Sequence, residues 1–112
     1  MSKTKVYADT SYLTSSTLIH TGTGLLFTIL IGSDGVNDPV VAAYNDTDGN
    51  TAANRIVPLT TYDASALGIN GFVLQFAKKF TTGLYISIAD LGAGEVVVDY
   101  RTTGSLAPYK FV

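Results

Sequence analysis

A single histidine, His20, is the only imidazole the chain can bring to chemistry. A hydrolytic triad sets a histidine base between a nucleophile and an orienting carboxylate. No Gly-x-Ser-x-Gly elbow is present to hold such a nucleophile. Set inside a strand-like stretch, His20 reads as a structural or contact residue. Asp46, Asp48 and Asn50 have the alternate spacing of a calcium loop. That loop requires glycine at its sixth position and an acid at its twelfth, where this chain has Thr51 and Val57. Turn chemistry accounts for the cluster, since Asp and Asn bond their own backbone and Gly49 supplies conformational freedom. Gly22-Thr23-Gly24 and Gly92-Ala93-Gly94 each begin like a dinucleotide fingerprint but lack the third glycine and the following helix. Asp90, Glu95 and Asp99 are close enough in sequence to suggest a glycosidase pair. Asp90 belongs to a turn, however, and the other two alternate with an apolar strand face. No catalytic set, cofactor or metal site is expected.

The aromatics carry more information: seven Tyr, five Phe and no Trp. Tyr7, Tyr12, Tyr62, Tyr85 and Tyr109 are candidates for flat surface contacts with sugars. Tyr equally enriches protein interfaces, because it joins an apolar body to a polar tip. Charged residues make up 14% of the 112-residue chain and hydrophobic ones 46%. An average domain carries about 25% charged residues. So low a proportion points to surface hidden against a copy of the chain or a larger partner. The net charge of −2 and scattered basic residues argue against nucleic acid. Without cysteine there are no disulfides and no thiol chemistry. The longest apolar run, Leu25 to Ile31, is far shorter than the roughly 20 residues of a membrane span. Val6 to Thr17 is too polar for a signal-peptide core. A soluble, unprocessed protein with no membrane partner is the expectation.

Such contacts must be presented by strands. Val, Ile, Thr, Tyr and Phe dominate the apolar stretches, and turn residues interrupt them every eight to twelve positions. Strands are predicted at 17–21, 25–32, 40–45, 55–62, 72–78, 84–89 and 95–101. In the second, strict alternation sets Leu25, Phe27, Ile29 and Ile31 against Leu26, Thr28 and Leu30. Pro58 assigns the fourth to an edge or a bulge. Residues 63–71 allow one short helical turn. The last two strands alternate most cleanly and are read as a hairpin. The fold class is all-β: one antiparallel sandwich or jelly-roll-like barrel of about seven to eight strands. The domain spans 17–101, flanked by a polar amino-terminal arm, 1–16, and a tail, 102–112, that is an arm or an extra strand.

The run Phe80-Thr-Thr-Gly-Leu-Tyr-Ile-Ser-Ile-Ala-Asp-Leu-Gly-Ala-Gly-Glu-Val-Val-Val-Asp-Tyr-Arg101 resembles the carboxy-terminal hairpin of small structural proteins of tailed bacteriophages. Gly32-Ser-Asp-Gly, followed by Pro39-Val-Val-Ala-Ala-Tyr-Asn-Asp-Thr-Asp-Gly, resembles their central hairpin. The similarity runs from about Leu18 to Arg101. It implies a non-enzymatic virion component, assembled in the host cytoplasm and often trimeric. A capsid decoration protein bound to the major capsid protein is the first expectation. The alternative is a carbohydrate- or receptor-binding module of a tail or fibre. The expected contact residues are Tyr7, Tyr12, Leu26, Leu30, Tyr109 and Phe111.

Overall fold

The computed structural model describes residues 9–67 and 71–102. Eight strands occupy them: β1 Asp9–Leu13, β2 Thr17–Thr21, β3 Gly24–Gly32, β4 Val40–Tyr44, β5 Arg55–Thr61, β6 Gly71–Phe80, β7 Gly83–Ala89 and β8 Glu95–Thr102. Two four-stranded sheets result, ordered β1-β8-β3-β6 and β2-β7-β4-β5, and all their strand pairs are antiparallel. The sheets stay open and face each other as a sandwich, not as a closed barrel. The strand order is that of a jelly roll. A single helical turn, α1 Ala64–Leu67, interrupts the passage from β5 to β6.

The core lies between the sheets. Leu13, Leu26, Ile29, Ile31, Phe80, Val96 and Val98 enter it from one side, and Val41, Ala43, Val57, Leu84 and Ile86 from the other. Alternation along β7 and β8 is as expected, with Leu84, Ile86, Val96 and Val98 all fully buried. Pro58 lies on β5, which is an edge strand, and beside it the pairing shifts from Val41–Thr60 to Ala43–Val57. Both devices suit a residue that cannot donate to a ladder.

Three expectations are corrected. β7 and β8 are not a hairpin: β7 pairs with β2 and β4, β8 with β1 and β3. Their apolar faces look at each other across the core, so Asp90–Gly94 is an arch between sheets. It turns through left-handed backbone at Asp90 (φ 54°) and Gly92 (φ 61°). The stretch from Gly32 to Pro39 is likewise an arch, since β3 and β4 lie in different sheets. Only β4 and β5 are joined as a hairpin among the described residues.

Next, residues 9–13, assigned to the arm, form β1 and pair with β8 along its whole length. As an edge strand it buries one apolar residue, Leu13, and so gives little periodic signal. Finally, strict alternation fails in β3. Leu26 pairs with Tyr100, but Thr28 pairs with Asp99, which leaves Phe27 as an additional residue relative to β8. A bulge of this kind puts two successive side chains on one side. Leu26 therefore points into the core, fully buried, with Ile29 and Ile31.

Candidate protein-contact face

The outward face of the β1-β8-β3-β6 sheet is organised in cross-strand rows, which follow directly from the register. Nearest the arches, Glu95, Gly32 and Gly71 stand side by side. The next row is Tyr12, Val97, Leu30 and Val73, one residue from each strand. Beyond it come Thr10, Asp99, Thr28 and Gln75, then Arg101, Leu25 and Lys79. At about 4.8 Å per strand, the four-residue row spans about 14 Å. It is wholly apolar apart from one phenol, yet Tyr12 is 71% exposed, Val73 61% and Leu30 37%.

The neighbouring rows explain why this stripe stands in relief. Asp99 accepts hydrogen bonds from Thr10 Oγ1 (2.9 Å) and Thr28 Oγ1 (2.7 Å), so its carboxylate is held flat between three strands. The Arg101 guanidinium lies 5.0 Å from the Phe27 ring centre, a cation–π contact that uses the outward side chain of the bulge. On the other flank Gly32 and Gly71 contribute no side chain. The result is a shallow depression of about 270 Å³ bounded by Leu30, Val73, Val97 and Glu95.

The opposite sheet does not offer an equivalent face. There Tyr44 and Tyr85 pack edge to face at 6.2 Å, and the loop from Asn45 to Asn54 folds back over them. A side chain at Gly49 would put its Cβ 2.9 Å from the Tyr85 ring, so glycine is what permits that cover. Arg55 Nε donates to the Tyr44 hydroxyl at 3.0 Å, and Tyr44 is buried although it points away from the core. Leu18 and Leu59 are exposed there, on the two edge strands.

The residues considered for chemistry lie apart. His20 rests edge-on against the buried Phe80 ring, at 6.1 Å. Asp46 and Asp48 bond within their own loop: Asp46 accepts from Thr47 N and Asn54 Nδ2, and Asp48 from Asn50 N. These bonds hold the Asp46 carboxyl below the usual carboxylate range. Glu95 and Asp99 sit four residues apart on one face of β8, about 13 Å, more than a glycosidase pair requires. Among the described residues no group of three or more His, Asp or Glu is placed to hold a metal. No helix among them is long and apolar enough to cross a membrane.

Of the expected contact residues, Tyr12 and Leu30 lie in the exposed row. Leu26 is corrected to the core by the bulge. Tyr7, Tyr109 and Phe111 lie outside the described residues. Tyr62 and Tyr85, candidates for an exposed aromatic surface, are half-buried; Tyr62 packs on Phe72 at 5.0 Å, and burial raises its phenol. Val73 and Val97 were missed, because nothing in the sequence says which strands become neighbours.

One polar feature was also missed. Asp34 accepts four hydrogen bonds, from Val36 N, Asn37 N and Asn37 Nδ2 in its own arch and from Ala93 N in the other. Those bonds, led by the Asn37 amide, hold its carboxyl far below the usual range. Asp38 then ties the first arch to α1 by accepting from Ser65 N and Oγ, both at 2.9 Å. The Ala93–Asp34 bond thus joins the two arches to one another. No family model, curated protein or solved structure matches the chain.

Proposed function

We propose that this chain is a structural protein of a tailed-phage virion, a capsid decoration protein that acts by surface contact with the shell and with copies of itself. The observation that carries the reading is the exposed apolar row Tyr12–Val97–Leu30–Val73 on a sheet face that no other described part of the chain covers. Contiguous apolar surface of this kind marks interaction sites on soluble proteins. The low proportion of charge supports the same reading. Jelly-roll sandwiches recur in capsid proteins and in lectins, which is support by analogy alone. A glycan platform would call for several flat aromatics at the surface. Among the described tyrosines, Tyr12 alone is exposed, so the contact reading is preferred.

Its mechanism is additive binding: a rigid domain that prefers the assembled shell stabilises that shell by mass action. The test is co-sedimentation of the purified chain with phage heads lacking it, comparing the native sequence with Leu30→Lys. The native chain should pellet at a fixed number of copies per head, and the variant should remain in the supernatant while folded. Equal pelleting of both would overturn the assignment of this face, and pelleting of neither would overturn the virion reading.

A further inference from the structure

We propose that the amino-terminal half of β6, residues 71–75, is the edge through which two copies join, antiparallel across a two-fold axis centred on Val73. This rests on the contact reading above and names the surface and the partner: a second copy of the chain.

An edge strand offers unpaired backbone donors and acceptors to any strand of matching length, and natural proteins blunt such edges with prolines, bulges, charges or brevity. The four edges here differ in that respect. β1 and β2 have five residues each, and β2 carries a pairing shift at Ile19. β5 has Pro58 and its bulge. β6 is ten residues long with no proline. Its carboxy-terminal half is guarded, since the pairing with β3 slips between Gln75 and Lys78, and Lys78 and Lys79 are both exposed. The half from Gly71 to Gln75 has no proline, no charge and no slip. Among the described residues it is the one stretch of edge on that sheet left without a device against pairing.

One further feature fits a second copy in particular. Val73 is the end of the apolar row, so pairing Val73 with its own counterpart runs the row on through the second copy to its Tyr12. A self-complementary contact about a two-fold axis has this form.

The test uses the full chain, which has no cysteine of its own. Directly opposed residues in an antiparallel pair have Cβ atoms about 4.5–5.5 Å apart, within small adjustment of a disulfide. Val73→Cys should therefore oxidise rapidly to a covalent dimer, whereas Tyr12→Cys, as exposed but on the far edge, should not. Sedimentation equilibrium of the native chain should give about twice 11.8 kDa. Val73→Lys opposes like charges at the axis and should weaken the dimer by more than about tenfold, with its circular dichroism unchanged. Equal cross-linking at Tyr12, or a trimer untouched by Val73→Lys, overturns the two-fold edge and leaves the contact function standing. A monomer that still binds heads does the same. A dimer that binds no heads keeps the edge and overturns the virion reading.

Discussion

Replacing Leu26 and Leu30 by alanine, one at a time, separates the bulged β3 from a strictly alternating one. Leu26 is fully buried among both sheets, whereas Leu30 is 37% exposed on the outward face. Truncating a fully buried leucine removes its transfer free energy and leaves a cavity, together about 2–5 kcal/mol. Truncating Leu30 forfeits only part of the transfer term and opens onto solvent, for about 0.5–1 kcal/mol. At roughly 4 °C per kcal/mol for a domain of this size, Leu26→Ala should lower Tm by about 8–20 °C and Leu30→Ala by a few degrees. Thermal and urea unfolding should be read at one protein concentration, because self-association moves the midpoint by mass action. Were Leu26 on the outer face, as alternation alone has it, its variant would melt within a few degrees of the native chain. A loss at Leu26 no larger than that at Leu30 refutes the bulge.

Gly92→Ala should be destabilising by more than about 1–3 kcal/mol, seen as a lower urea midpoint, because its φ is 61° and a Cβ there would collide with Asp34 and Asn37; Gly32→Ala, whose Cβ meets only Glu95 O at 3.4 Å, should be tolerated. The Asp34 carboxyl is held below its unfolded value of about 3.9, so its stabilisation is complete above that pH and lost as pH falls below it. Tm of the native chain should fall on acidification through that window, and Asp34→Asn should show a lower Tm at neutral pH with a shallower acid slope, the remainder arising from Asp38 and Asp46. Asn45 Oδ1 accepts from the Thr81 and Thr82 amides at 2.9 and 2.8 Å, so Asn45→Ala should cost about 1–2 kcal/mol in urea unfolding and raise amide exchange at both threonines.

Period-two alternation made seven of the eight strands legible in the sequence, together with the inward faces of β7 and β8 and the edge position announced by Pro58. The pairing was not legible. Alternation reports that a strand has an apolar side but not which strand lies next to it, so the short Asp90–Gly94 link looked like a hairpin. In the fold it is an arch, because Leu84 and Ile86 meet Val96 and Val98 across the core rather than along one sheet. The β3 bulge was hidden for a related reason: Leu25, Leu26 and Phe27 are all apolar, and no change of residue type marks the slip. β1 escaped notice because an edge strand with one buried side chain has no period to detect. Of the contact face, Tyr12 and Leu30 could be named by type and spacing. Val73 and Val97 join them only through register, and register is a property of the folded sheet.

We propose that the domain works through the outward face of the β1-β8-β3-β6 sheet on an assembled particle. A cryo-electron microscopy map of the virion tests this most directly. It should show an eight-stranded sandwich on the head whose Tyr12, Leu30, Val73 and Val97 are covered by neighbouring protein. A particle that lacks the chain, or one that holds it by the arches with that row open to solvent, would contradict it.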